Sequence, residues 1–370
     1  MKLKKLIIPV LVFGLIVGSL STPGFAAQKN TKQKAQEKEK EFIPKEVKSI
    51  LKEGMDNRTL RTDIPFDIFK FLYLPTRTME NLHSIFFFTC KNADLGFKDA
   101  SSLTAALDEQ KEKKEESAFD ATPAQLAANN NLFLYFKQLD GKYEKEVYVP
   151  FPLQVEGSTY DAEKEKYYTF GYPLPAGDYL LGVAITSLDL QKIGTQYYEF
   201  SLPNPVAFKN ELETTPIFFA SSMNRMSAVE MQTEVHQGFF TYSVLQVEPN
   251  LEHAFPPGAN LDVFFFIFGA QPTPDDPNKV DIEINFSILK GEETAVRWAP
   301  QKYEHPIVSQ PLPMKKTVII KTTDAEGKTS ERKDTRDLDP GAYTFSMEIK
   351  DNLSGKSVTK TVEISVVETE

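Results

Sequence analysis

The segment Leu174–Leu202, LPAGDYLLGVAITSLDLQKIGTQYYEFSL, aligns without a gap on Leu338–Val366. The shared residues are Leu174/Leu338, Gly177/Gly341, Tyr179/Tyr343, Ile185/Ile349, Lys192/Lys356, Thr195/Thr359, Glu199/Glu363 and Ser201/Ser365. A chain that writes the same stretch twice, at this distance, is expected to build the same unit twice. Each copy opens on a Pro/Gly turn and then alternates apolar and polar residues, the period of a strand with one buried face. In the second copy Tyr343, Phe345, Met347 and Ile349 share one face, and Val362, Ile364 and Val366 continue the phase after a turn at Asp351–Gly355. In the first, Tyr198, Phe200 and Leu202 point inward against Glu199 and Ser201. Both read as a β-hairpin closing a domain.

The pattern Leu-x-x-Gly-x-Tyr before a late hairpin resembles the end of immunoglobulin-like and fibronectin-type-III-like sandwiches, in which a Tyr near a strand corner anchors the turn before it. The resemblance covers about thirty residues in each half and implies fold alone. With one Cys and one Trp, the chain lacks the Cys, Trp, Cys framework of antibody domains. The layout is also similar to secreted two-domain sandwich proteins associated with the GWxTD family, without that motif. The expected architecture is all-β, two tandem immunoglobulin-like antiparallel β-sandwiches behind a signal peptide and a short helix. A length of 370 residues gives each half enough chain for its own core.

Residues 1–27 read as a signal peptide: Lys2, Lys4 and Lys5 precede an apolar run from Leu6 to Leu20, and a small-residue cleavage site lies near Ala26/Ala27. The run is short for a membrane span, and no second one follows, so no integral span is expected after removal. The protein is expected to be periplasmic or secreted. Losing three lysines takes the formal charge from −10 to about −13, which excludes the basic footprint that nucleic acid requires. Cys90 stands alone, so both cores are stabilised by packing, without an internal disulfide.

Residues 28–62 comprise a charged spacer and a short amphipathic helix from Pro44 to Gly54, with Val47, Ile50 and Leu51 on one stripe that docks on the first sandwich or on a partner. The first sandwich spans 63–203, with strands at Phe66–Leu74, Leu82–Cys90, Leu132–Leu139 and Tyr143–Phe151 before the repeated hairpin. Its insertion, 99–130, contains DEQKEKKEE and reads as a solvated helix or a docking arm. A linker, 204–214, follows. The second sandwich, 215–370, has strands at Phe239–Val247, Leu261–Phe268, Val280–Leu289 and Thr317–Thr322, and Met223–Thr233 is either helix or loop.

Both halves carry a triple-Phe strand, Phe86–Phe88 and Phe264–Phe266. In the second, Leu261, Val263, Phe265 and Ile267 form one face and leave Phe264, Phe266 and Phe268 on the other. An open aromatic face of that kind marks an interaction site unless the chain covers it. These three residues are the candidate partner-binding set, with the first sandwich, the helix, a loop or a separate protein as the cover. A second candidate is the Pro-rich loop around Trp298, where Trp298, Tyr303 and His305 offer rings that stack on sugars. Asp275, Asp276 and Asp281 near Asn278 match no calcium loop and read as a solvated turn.

No catalytic residue and no metal or cofactor site is expected. The histidines at 83, 236, 253 and 305 form no ligand pair, and there is no G-x-S-x-G elbow and no phosphate-binding glycine loop. Cys90 sits in an apolar strand rather than in the positive, accessible setting of a reactive thiolate. The reading is a non-catalytic protein-binding or scaffolding protein of the cell envelope with a protein partner there. Carbohydrate recognition through loop aromatics and hydrolysis by carboxylates brought together from distant loops are the alternatives.

Overall fold

The computed structural model describes residues 43–95, 128–152, 161–208, 211–229, 233–323 and 329–368, and among these strand after strand follows one α-helix. The signal peptide, the charged spacer and all but the last residues of the 99–130 insertion lie outside the described residues. The elements are α1 (Lys45–Asn57), β1 (Asp67–Pro75), β2 (Asn81–Lys91), β3 (Ala128–Gln138), β4 (Glu144–Pro152), β5 (Glu165–Pro175), β6 (Gly177–Ser187) and β7 (Ile193–Leu202). Then come β8 (Glu213–Thr214), β9 (Phe218–Arg225), β10 (His236–Gln237), β11 (Phe240–Tyr242), β12 (Leu245–Pro249), β13 (Ala254–Phe255), β14 (Asn260–Phe268) and β15 (Ile282–Lys290). The last are β16 (Glu293–Arg297), β17 (Gln301–Tyr303), β18 (Ile307–Pro313), β19 (Lys315–Thr323), β20 (Thr329–Asp337), β21 (Gly341–Asp351) and β22 (Ser357–Val366).

These strands make four packed sheets and one ribbon. The first two are ordered β4-β3-β6-β7 and β1-β2-β5-β10; the third is β11-β12-β9-β14-β18 with β8 also on β14; the fourth is β13-β22-β21-β15-β16 with β17 also on β15. The ladders are antiparallel except for β13 against β22. Alternation along each strand decides which layer a side chain enters. From β2, Leu82, Phe86, Phe88 and Cys90 enter a core shared with Leu134, Phe136, Leu181 and Val183 of the first sheet. Ile85 and Phe87 leave by the opposite face. From β14, Leu261, Val263, Phe265 and Ile267 enter a core with Ile284, Phe286, Phe345 and Met347 of the fourth sheet, while Phe264 joins Ile85 and Phe87. The sheets therefore stack in the order first, second, third, fourth, with three apolar layers between them. All these residues belong to one compact unit, Phe42–Glu370.

Helix α1 closes the outer face of the first sheet. Ile43, Val47, Leu51 and Met55 lie against Phe133, Tyr135, Leu180 and Ala184, so the stripe docks within the chain. The helix does not end at Gly54. It runs on to Asn57, where Arg58 adopts a left-handed conformation (φ 58°) and donates its N–H to Gly54 O at 2.7 Å. Gly54 is needed mid-helix because a Cβ there would lie 1.7 Å from the Tyr197 hydroxyl oxygen.

The two hairpins singled out by sequence share one register. Gly177 faces Leu202 and Gly341 faces Val366, and each ladder then runs through ten pairs without a slip. Tyr179 donates its hydroxyl to Pro175 O at 2.9 Å and Tyr343 to Asp339 O at 2.8 Å, each four residues upstream. Both glycines hold φ near +147°, a region open to glycine.

Elsewhere the strands differ from the sequence reading. Phe239–Val247 is not one strand but the β11–β12 hairpin, turned at Ser243 with φ 55°. Met223–Arg225 belongs to β9, whose outer end is polar and so shows no strand alternation. The linker is also tied down: β8 pairs with Ile267 and Phe268, and Phe208 stacks on Phe268 at 5.6 Å.

Candidate functional site

The aromatic face of β14 is the first place to look, and the chain itself covers it. Phe264 is 1% exposed, enclosed by Leu72, Leu74, Ile85 and Phe87 of the second sheet and by Phe218 and Phe240 of its own. Phe266 is half-buried beside Phe264 and Tyr242, at 5.8 and 5.9 Å between ring centroids. Phe268 is 2% exposed and completes the first sandwich core. Phe264, Phe266 and Phe268 are thus not presented to a partner; the cover is the first sandwich. Polar groups bridge the rim of this seam: Tyr242 donates to Pro75 O at 2.6 Å and Thr169 to Phe239 O at 2.6 Å. Burial pushes the Tyr242 hydroxyl well above the usual tyrosine range.

The Trp298 region is corrected in the same sense. Strands β16 and β17 both pair with β15, so together they form one edge interrupted at Trp298–Pro300, where Trp298 N–H still bonds Phe286 O at 3.2 Å. Register places Trp298 opposite Phe286 and Tyr303 opposite Ile282, on the core-facing side, and both rings pack on the second core. The indole Nε1–H donates to Pro313 O at 3.2 Å, and the ring meets Phe345 edge-on at 6.4 Å. The Tyr303 hydroxyl is buried without a hydrogen-bond partner among the described residues, and burial pushes its pKa up to about 12. His305 is exposed, its Nδ1 3.4 Å from Asn278 O. Trp298, Tyr303 and His305 do not make a stacking platform, because the edge strand turns two of the three rings inward.

The acidic turn organises itself. Asp276 accepts from the Asn278 N–H at 2.9 Å, and Asp281 accepts from Asn352 at 3.0 Å. Among the described residues no group of three or more His, Cys, Asp or Glu side chains is placed to hold a metal ion. Cys90 is buried, and burial, then Asp94 and Glu165, push its thiol up to about 12. His253 is held below its ordinary range by burial and by Lys70, with its ring edge-on to Phe219 at 5.3 Å.

Two features of the surface escaped the sequence reading. One is an open cleft of about 720 Å³ where the halves meet, floored by Tyr73, Phe208 and Ile217 and rimmed by Asp178, Glu213 and Lys360. Its charged groups are paired: Ser201 donates to Asp178 at 2.6 Å, and Lys360 bridges to Glu213. Burial, then Glu213, raises Tyr73 to about 12. The cleft contains no histidine or cysteine to activate Ser201.

The other is the β19–β20 ribbon, a two-stranded sheet that pairs with no other strand among the described residues. It leaves the third sheet at Pro313 and returns at Leu338, both at the margin of the second core, and none of its described residues enters a core cluster. Strand β16 approaches β19 without forming a ladder with it. Ile319, in the middle of β19, is 53% exposed. Sequence reading found most of β19 from its Val-Ile-Ile run. It missed β20, TSERKDTRD, because both faces of that strand are polar.

No protein-family model and no curated protein matches the chain. Among solved structures it is similar to dimeric latent PorU from Porphyromonas gingivalis, with 10% identity and a TM-score of 0.29, over 83% of this chain and 20% of that one. The chain spans about a fifth of that protein's length.

Proposed function

We propose that the chain is an exported, non-catalytic scaffold of the cell envelope that binds other protein through the β19–β20 ribbon, and that its two halves are immunoglobulin-like or fibronectin-type-III-like sandwiches. Fold-level support comes from a strand order common to both halves: β1-β2-β5 faces β4-β3-β6-β7 as β9-β14-β18 faces β16-β15-β21-β22. Each half also has a Tyr hydroxyl bonded to the carbonyl four residues upstream at the corner before the closing hairpin. Export rests on the basic, apolar and small-residue succession of residues 1–27.

The observation that carries the binding reading is the ribbon. An edge strand displays a row of N–H and C=O groups that another backbone satisfies, which is why proteins usually cover or charge such edges. Among the described residues neither edge of the ribbon joins a ladder with a third strand, although β16 lies near β19, and the ribbon stands on a body whose four sheets are fused by apolar layers.

The test is a photo-crosslinking residue at Ile319, compared with one at Leu139, an equally exposed position (57%) on a different loop. Protein adducts in the native host at Ile319 and not at Leu139 are expected. Equal labelling at both, or none, counts against the ribbon as a binding element. Amino-terminal sequencing of the mature protein checks export, with cleavage expected near Ala26/Ala27.

A further inference from the structure

We infer that the partner of the ribbon is a second copy of this chain, β19 pairing antiparallel with β19 of its twin about a two-fold axis at Ile319. The inference rests on reading the ribbon as a protein-binding element and names its partner.

The two edges of the ribbon are unlike. Six of the nine residues of β20 are charged, Glu331, Arg332, Lys333, Asp334, Arg336 and Asp337, and a charged edge discourages strand addition. Strand β19, KKTVIIKTT, carries its three lysines toward the ends and Val318-Ile319-Ile320 at its centre. Among the described residues its outer row of backbone groups joins no ladder. A lone two-stranded ribbon is marginal in water, and a third and fourth strand relieve that.

Self-pairing is favoured by the register itself. With Ile319 opposite Ile319, Val318 meets Ile320 in both directions, so all three central pairs are aliphatic. Lys315 then stands opposite Thr323, Lys316 opposite Thr322 and Lys321 opposite Thr317, and no lysine faces a lysine. Moving the axis to Val318 sets Lys315 opposite Lys321 twice and Lys316 opposite Ile320. Moving it to Ile320 leaves Ile319 opposite Lys321. Like charges directly opposite destabilise a ladder, and matched aliphatic pairs stabilise it. An isologous contact of this kind closes on itself as a dimer, and with nine residues a side it belongs to the weak, concentration-dependent class.

Three variants of the full chain test it by sedimentation at concentrations up to about 1 mM. None touches a core cluster, so each is expected to unfold at the wild-type temperature. Ile319→Cys should form a disulfide-linked dimer on oxidation, because paired Cα atoms across an antiparallel ladder lie about 4.5–5.5 Å apart, within disulfide reach. Wild type, whose Cys90 is buried, serves as the control. Ile319→Lys puts two like charges on the axis and should abolish the dimer. Thr317→Glu faces Lys321 of the twin twice, only in this register, and should tighten the dimer about 2- to 30-fold. A wild type that stays monomeric with no Ile319→Cys dimer, or a Thr317→Glu dimer no tighter than wild type, overturns the proposal. If the chain is monomeric yet Ile319 still labels another protein in the host, the self-pairing fails alone; if it labels nothing, the binding reading fails with it.

Discussion

At the corner before β6 the chain passes from β5 through Ala176 alone, whereas before β21 it leaves β18 at Pro313, runs out and back along β19 and β20, and returns at Leu338. The two corners nevertheless end in the same geometry, with the same Tyr-to-carbonyl bond and the same glycine φ. Apart from Val235 and Phe268, which the second half lends to the first core, the ribbon's difference lies outside the cores, and what agrees lies at the closing hairpins. The core-facing part of such a sandwich is held by packing, so an insertion is tolerated where it adds nothing to a core and takes nothing from one.

The comparison can be broken first at the seam, where each half presents one central phenylalanine to the other. Phe87→Ala and Phe264→Ala should each cost about 3–5 kcal/mol. The double variant should cost less than their sum, because both side chains line one cluster. In urea the wild type should unfold in one transition and the variants in two; a wild type that already shows two independent transitions would mean that the halves are not fused.

The glycines sharpen it next. Gly177→Ala and Gly341→Ala both force an alanine into φ near +147°, a strain of about 1–3 kcal/mol. At Gly177 the new Cβ would also lie 2.0 Å from Gln138 Nε2, while at Gly341 nothing comes closer than 3.8 Å. Thermal unfolding should therefore rank Gly177→Ala as the more damaging. Equal losses would show that Gln138 gives way freely.

At the far turn of each hairpin, Asp351 stands where the first half has Ser187. Asp351 is buried; burial pushes its carboxyl up, but the Ser354 hydroxyl and the Gln271 and Leu353 N–H groups outweigh it and hold the pKa below the usual carboxylate range. A lowered folded-state pKa contributes stability that is fully present above the unfolded value of about 3.9 and disappears as the pH falls through the folded one. Asp351→Asn should accordingly be less stable than wild type at neutral pH, with the gap closing in acid; Ser187→Ala, which removes the hydroxyl that bonds the exposed Asp189 and lowers its pKa, should show a smaller closing in the same direction, because that carboxyl is screened by solvent. Smallest of all, Tyr179→Phe and Tyr343→Phe should each lose about 1 kcal/mol, and a several-fold difference between them would mean that the two corners only look alike.

Period-2 alternation made the layers legible. It separated Leu261, Val263, Phe265 and Ile267 from Phe264, and Phe86 and Phe88 from Phe87, and those sets do enter different clusters. Alternation reports which face is apolar and is silent about what covers it, so it leaves open whether Phe264, Phe266 and Phe268 meet a partner or the chain itself; Phe264 and Phe266 line the seam and Phe268 enters the first core. Pro300 acts in a different way: it interrupts an edge strand, and a strand broken by proline reads as a loop, so the sequence does not tell whether Trp298 and Tyr303 are exposed rings or a plug on the core. Strand β10 was illegible because two residues hold no pattern, and β20 because a strand wet on both faces has no reason to alternate.

Strand β10 carries a consequence for the order of events in synthesis. His236 and Gln237 pair with Thr169 and Tyr168 of β5, and Val235 and Phe268 sit in the core of the sandwich whose last strand ends at Leu202. Chains emerge from the ribosome at about 5–20 residues per second, so for several seconds the amino-terminal half exists in full length with a bare sheet edge and two of its core residues not yet made. It cannot finish folding in the order in which it is written. A nascent chain halted just after residue 203 should be protease-sensitive, and one released past residue 268 should become resistant across both halves at once.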